Sequence, residues 1–181
     1  MIVATLGPEG SNHLLVLRRY LDARGPAGAE IRPFADFPAA FAALVAGEVD
    51  RVLQCTAHFS HADCVGRYMH RAFPVDVFVA GSHPLALLAR RGVDSPRRVA
   101  RQPATRYYTD LSGFEEEIDA ATTVAVAEGL LAGRFEAGIC ALEVLEQHPR
   151  ELRLIEALGP ALDVWVLYGT EPLPAGSPLV L

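Results

Sequence analysis

Apolar and polar residues trade places in short blocks along the 181 residues, and the block lengths suit strands and single amphipathic helices. Residues 2–6 form a β-branched apolar run, the pattern of a buried strand. Residues 11–23 change to helical spacing, with Leu14, Leu15, Leu17 and Leu21 on one side. A short strand is predicted over 30–33. A helix is predicted over 36–46, with Asp36 as its cap, Pro38 in the first turn and Gly47 as the stop. Residues 49–54 predict a third strand, and 75–80 and 85–90 predict further extended runs.

The stretch "RRGVDSPRRVARQP" is rich in Arg and Pro and predicts a surface connection. After it come a strand over 105–109, a helix from the hydroxyl pair Thr122 and Thr123 to Leu131, and a strand over 135–140. A further helix and strands over 152–156 and 164–168 follow, and the tail "TEPLPAGSPLVL" reads as loop. Strands alternating with helices predict a parallel sheet. Two such series predict an α/β fold of two lobes with a ligand cleft between them. One lobe covers 1–80 and is joined by 162–181; the other covers 81–161.

Half the residues are hydrophobic (51%), but Arg, Asp, Glu or Pro interrupts every long run, so no membrane span is expected. The start lacks the basic and apolar stretches of a signal peptide. Cys55, Cys64 and Cys140 have no framework spacing, which fits a reducing cytoplasm. A net charge of −6 argues against nucleic acid or an anionic membrane as partner. All 16 basic residues are Arg. Without lysine, Schiff-base chemistry, a pyridoxal-phosphate anchor and a Walker-type phosphate loop are excluded, because each needs an amine. No cofactor is expected.

Four places gather polar groups at predicted strand ends, where open α/β sheets bind ligands. They are Glu9–Gly10–Ser11–Asn12, the stretch "QCTAHFSHADC" over 54–64, the segment around Thr105 and Arg106, and Thr122–Thr123. Gly10 frees the backbone for a close approach, and Ser11 or Asn12 can cap the following helix. A helix start offers unpaired N–H groups to an anion. Two such starts, one in each lobe, would suit a small dianion. Cys55, His58, His61, Asp63 and Cys64 have the side chains of a zinc site, but no second Cys/His cluster completes one, so no metal is expected. His58 or His61 could instead serve as a general acid, or both could be loop residues without a role. His13 sits beside the first anion site or faces solvent. Trp165 and Cys140 read as packed strand residues.

"LGPEGSN" at 6–12 resembles the opening of the prephenate dehydratase family, a strand followed by Gly-Pro-x-Gly-Thr/Ser. "ATTVAVA" followed by "EGLLAGRFEAGIC" is similar to that family's Ser-Thr-x-x-Ala-Ala helix and the strand after it, with Thr122 and Thr123 on the hydroxyl pair. The resemblance covers nearly the whole chain. It implies a fold similar to type II periplasmic binding proteins, a dicarboxylate substrate and no cofactor. Together with the strand-end positions it points to substrate contacts from Glu9, Gly10, Ser11, Asn12, Thr56, Ser60, Thr122 and Thr123. Thr105 and Arg106 are expected contacts from their strand-end position alone, since "Thr-Arg-Tyr" at 105–107 stands too early to be the family's Thr-Arg-Phe.

The departures narrow the expected reaction. Dehydratases carry Thr-Arg-Phe late in the catalytic domain, where "LDVWVLYG" puts Val164 and Trp165. The family's Pro-x-Glu-Asn-Ser segment is replaced around Thr56–Ser60. An opening kept and a dehydratase Thr lost look like the prephenate decarboxylases of bacilysin-type antibiotic pathways, which carry a His after the third strand. The resemblance thus implies a non-aromatising decarboxylase with His58 as proton donor. The alternatives are a dehydratase giving phenylpyruvate and a non-catalytic small-carboxylate binding module. A homodimer is left open.

Overall fold

The protein, described here over residues 1–178 of a computed structural model, divides into two units. Unit 1 is Met1–Gly81 with the segment from Leu162 onward, and unit 2 is Ser82–Ala161. The last three tail residues, 179–181, lie outside the described residues.

Unit 1 opens with β1 (Ile2–Leu6), α1 (Asn12–Arg24), β2 (Glu30–Phe34), α2 (Phe37–Val45) and β3 (Arg51–Cys55). The expected helix caps form: Ser11 Oγ accepts from the Leu14 N–H at 3.3 Å, and Asp36 Oδ1 accepts from the Ala39 N–H at 2.8 Å. A further helix, α3 (His61–Tyr68), and β4 (Phe73–Gly81) follow. One more strand, β10 (Leu162–Gly169), is contributed from the far end of the chain. The sheet order is β2-β1-β3-β10-β4. Side chains alternate across it, as strand geometry requires. Val3, Leu53, Trp165 and Leu167 pack with Val16 and Leu17 of α1. Ala4, Val52, Val166 and Tyr168 pack on the other side with Phe37, Phe41, Cys64 and Tyr68.

Unit 2 contains β5 (Leu85–Arg90), β6 (Arg98–Arg101), β7 (Glu116–Asp119), α4 (Thr123–Leu131), β8 (Ala137–Ala141), α5 (Glu143–Gln147) and β9 (Leu152–Gly159). Its sheet order is β7-β6-β8-β5-β9. The core joins Leu88, Ala100 and Cys140 of the strands to Val126 and Leu130 of α4. Gly138 permits that closeness, because a Cβ there would lie 2.4 Å from Val126 Cγ1 and 3.0 Å from the Ala100 carbonyl oxygen.

Neither sheet is wholly parallel. β1 runs parallel to β2 and β3, and β6 parallel to β7 and β8. β10 is antiparallel to β3 and β4, and β5 is antiparallel to β8 and β9. Alternation along the sequence foretells the βαβ part of each unit but not strands that return from a distance. Three local expectations also change. The Arg-rich connection contains β6, whose Val99 and Ala100 are fully buried. The strand expected over 105–109 is a 3-10 turn at Pro103–Thr105 followed by irregular chain. The polar stretch after β3 continues into α3.

Candidate active site

The polar groups picked out in the sequence lie at the C-terminal ends of parallel strands, β1 and β3 in unit 1 and β6 and β7 in unit 2. This is where an open α/β sheet presents loop residues. Within unit 1, Glu9–Asn12 follow β1, and Thr56–Ser60 follow its neighbour β3. Within unit 2, Thr105 and Arg106 follow β6, and Thr122 and Thr123 follow its neighbour β7.

In the first loop, Gly10 adopts a φ of +80°, a conformation a side chain would strain. Glu9 is exposed, and Arg18 grips its carboxylate through two bonds of 2.6 and 2.8 Å. The Arg18 hydrogen bond holds that carboxyl below its usual range. Ser11 is buried, and its hydroxyl is used in both senses. It donates to the Leu6 carbonyl at 3.1 Å while accepting from Leu14. A hydroxyl has one proton, so Ser11 has none left for a substrate carboxylate. Its role here is to cap α1. Asn12 is the first residue of α1 and is half-buried.

The second loop gathers the titratable side chains. Thr56 is half-buried and tied to β10 by its N–H, which donates to the Val164 carbonyl at 2.9 Å. The His58 ring stands edge-on to Phe37 (centroids 4.9 Å apart) and His13 (5.7 Å), and lies against the exposed Phe59 (4.4 Å). His13 in turn packs edge-on against Phe37 at 5.3 Å and Trp165 at 5.2 Å. Ser60 faces the back of the His58 ring: its Oγ lies 2.8 Å from Nδ1, and its N–H donates to Nδ1 at 3.3 Å. His58 Nε2 has no hydrogen-bond partner among the described residues. His61 is placed differently, with its Nε2 held 2.9 Å from the Tyr168 hydroxyl. Of the two histidines weighed as acids, His58 therefore has its outer nitrogen available.

Burial dominates the electrostatics of this loop. It pushes His58 down to about 4, helped by repulsion from His61, and His13 down to about 3, helped by repulsion from His58. His61 is lowered by burial as well. Burial raises the Cys64 thiol, and hydrogen bonding from Ser60 and Gln54 opposes that rise. The cluster is therefore uncharged at neutral pH. A dianion placed beside it would favour the imidazolium form of His58. Two polar atoms in unit 1, His13 Nε2 and Gln54 Oε1, are buried without a partner among the described residues.

Unit 2 handles charge by pairing it. Arg101 is buried and bridges Glu117 at 2.7 Å and Asp119, and Arg106 reaches Glu117 at 3.3 Å. Thr105 is buried and gives its hydroxyl proton to the Gln102 carbonyl at 2.9 Å. Thr122 caps α4, accepting from the Ala125 N–H at 3.0 Å, and Thr123 opens the helix. Among the described residues no three His, Cys, Asp or Glu side chains converge as metal ligands would. Among the described residues no helix is long and apolar enough to cross a membrane.

Phe37 and Tyr168 escaped the sequence reading, and Gln54 entered it only as the first residue of the polar stretch over 54–64. Phe37 and Tyr168 look like core residues and serve as such, while also contacting His13, His58 or His61. Gln54 lies between Leu53 and Cys55, where a fully buried amide is itself the signal.

No protein-family model matches the chain, and a search of curated proteins finds no significant match. Solved structures do share its fold. A prephenate dehydratase from Arthrobacter aurescens superposes with a TM-score of 0.66 at 21% identity, covering 98% of this chain and 64% of that one. The chain thus spans less than two thirds of that enzyme's length. The prephenate dehydratase of Staphylococcus aureus gives 0.59 at 16% identity, over 94% of this chain and 67% of that one. The periplasmic VFT2 domain of Bordetella pertussis BvgS gives 0.55 at 16% identity, over 94% and 80%. The chain therefore has the two-lobed, periplasmic-binding-protein-like α/β fold that these prephenate dehydratases and the BvgS periplasmic domain share.

Proposed function

We propose that the chain is a cofactor-free lyase acting on prephenate, a carboxy-lyase that leaves the ring non-aromatic, serving specialised amino-acid or antibiotic biosynthesis. The observation that carries this reading is the state of His58. Its back nitrogen is held by Ser60 and its outer nitrogen has no partner among the described residues, within a wall of rings at the end of β3. The residues standing where a dehydratase would have Thr-Arg supply no acid. Val164 is apolar, and the Trp165 Nε1–H donates to the Ala80 carbonyl at 3.4 Å.

The chemistry follows from those two facts. The dicarboxylate binds and raises the proton affinity of His58, which takes up a proton and becomes an imidazolium. The bond from the ring to its carboxylate breaks and CO₂ leaves. The electron pair shifts through the ring, and a ring carbon takes the proton from His58 Nε2. Solvent then returns His58 to its starting state. No acid serves the ring hydroxyl, so it stays and the ring does not aromatise. The helix start at Thr122–Thr123 and Arg106 are proposed as carboxylate-binding groups of unit 2.

A second reading, dehydration to phenylpyruvate, is favoured by the dehydratase folds with which the chain superposes. Incubation with prephenate, followed by ultraviolet spectra before and after acid, separates the outcomes. A non-aromatic keto acid with release of CO₂ is expected. Phenylpyruvate formed before acid would replace the proposal with dehydration. Binding without turnover would make the chain a small-carboxylate binding module.

A further inference from the structure

Gln54 is fully buried on β3, and its Oε1 has no partner among the described residues. A buried acceptor left unpaired is costly, and such atoms are uncommon in folded proteins. Its amide nitrogen points to Ser60 Oγ at 3.5 Å, and Ser60 points to His58 Nδ1 through both Oγ and N–H. The three residues form one chain of groups leading from the core to the back of the His58 ring.

Donor and acceptor roles along that chain are fixed at one end. A backbone N–H can only donate, so Nδ1 accepts from Ser60, and the ring hydrogen of neutral His58 sits on Nε2. The Gln54 amide N–H donates to Ser60 Oγ, so the hydroxyl proton also turns toward Nδ1. When the ring gains a second proton at Nδ1, the bond from the Ser60 N–H is lost and the hydroxyl must accept instead of donate. A hydroxyl can do both, but its own proton then needs a new acceptor. Gln54 Oε1 is that acceptor, brought round by a turn of the amide. The other titratable groups nearest the ring and its Ser60–Gln54 chain are His13 on α1 and His61 and Cys64 on α3, all of which burial keeps uncharged.

We propose that Ser60 and Gln54 are positioning residues for His58: they hold its Nε2 outward and reverse their hydrogen bonds when the ring changes protonation. This rests on the reading of His58 as the proton donor. It moves Ser60 from the substrate's side of the ring, where the family resemblance puts it, to the side away from the substrate.

Nitrogen-15 spectra of the imidazoles, recorded at neutral pH without substrate, test the arrangement directly. Wild-type His58 should be wholly the Nε2–H tautomer, and the Nδ1–H form would overturn the proposal whether or not any variant folds. Ser60→Ala should give a tautomer mixture, and Ser60→Thr should restore the single form. With prephenate, Ser60→Ala and Gln54→Leu should each lower kcat about tenfold with KM within twofold. A raised KM with unchanged kcat in Ser60→Ala would make Ser60 a substrate ligand and end the positioning role. Unaltered imidazole spectra in Ser60→Ala would end it as well. Should the protein not turn over prephenate, the spectra still decide the role of Ser60, so the two failures remain distinct.

Discussion

The two units use one plan for opposite electrostatic ends. Each presents loops at the C-terminal ends of adjacent parallel strands, and each begins a helix there with a hydroxyl cap. Unit 1 gathers there imidazoles that burial keeps neutral and that have no carboxylate partner among the described residues. Unit 2 gathers arginines already matched to carboxylates. A neutral buried imidazole is free to change protonation when a charged ligand arrives. A paired guanidinium keeps its charge whatever happens around it. The proposed function puts proton transfer in unit 1 and binding by fixed charge in unit 2.

The largest effect should come from attacking that division. His58→Gln should lower kcat about a hundredfold or more while leaving KM nearly unchanged, as loss of a general acid does. Arg106→Gln should do the reverse, raising KM by about tenfold at most with kcat within twofold. Steady-state kinetics on prephenate read both. If Arg106→Gln lowers kcat as severely as His58→Gln, the division of labour is wrong.

Acid sharpens the same contrast without any substrate. His13 has a folded pKa of about 3 against 6.5 for the free side chain, so between those values the unfolded chain binds a proton that the folded protein refuses. The stability held by neutral His13 is complete above pH 6.5 and drains as pH falls, by about 1.4 kcal/mol per pH unit. About 2 kcal/mol should be gone at pH 5. Glu117 and Glu136 of unit 2 have pKa values below 4.5, the first mainly through the Arg101 hydrogen bond and the second through the backbone N–H groups of Arg97 and Arg98. Their contribution is present above 4.5 and is lost only below it, so pH 5 spares it. Amide exchange corrected for intrinsic rates should show β3 opening more readily at pH 5 than at pH 7, with β8 little changed. His13→Phe, which keeps the ring contacts and removes the orphaned nitrogen, should weaken that dependence without abolishing it, because burial also lowers His58 and His61. Equal acid sensitivity of β3 and β8 would count against the contrast.

The sequence was most informative where an apolar period met a cap. β1, α1, α2 and α4 could be located to within a residue or two, because Ser11, Asp36 and Thr122 mark where backbone N–H groups need partners. It was least informative where charge replaced hydrophobicity. β6 read as a charged surface connection and β7 drew no assignment, because Arg101 needs Glu117 and Asp119, a pairing invisible until the strands lie side by side. Helix α3 was missed although Cys64 and Tyr68, four residues apart, are its buried face. The gathering of Glu9–Asn12 and Thr56–Ser60 at one end of a sheet was foreseeable from strand polarity. The packing of His13 against Phe37 and Trp165 was not, since it joins residues from three separate elements.

The smallest expected effects come from the two hydroxyl caps, and they separate positions that look interchangeable in the sequence. Ser11→Ala removes a cap and also strips the Leu6 carbonyl of its hydroxyl donor in a buried setting, so it should cost about 1.5 kcal/mol of stability. Thr122→Ala removes only the bond from Ala125 in a half-buried setting and should cost about 1 kcal/mol or less. Substrate affinity should rank them the other way. The Thr122 hydroxyl proton has no acceptor among the described residues and can be given to a substrate carboxylate, whereas the Ser11 proton is committed to Leu6. Thr122→Ala should therefore raise KM about tenfold, and Ser11→Ala should leave it within twofold once loss of folded protein is allowed for. Thermal unfolding and kinetics on the two variants check both rankings. A KM raised by Ser11→Ala as much as by Thr122→Ala would mean that the α1 cap releases its proton to the substrate after all.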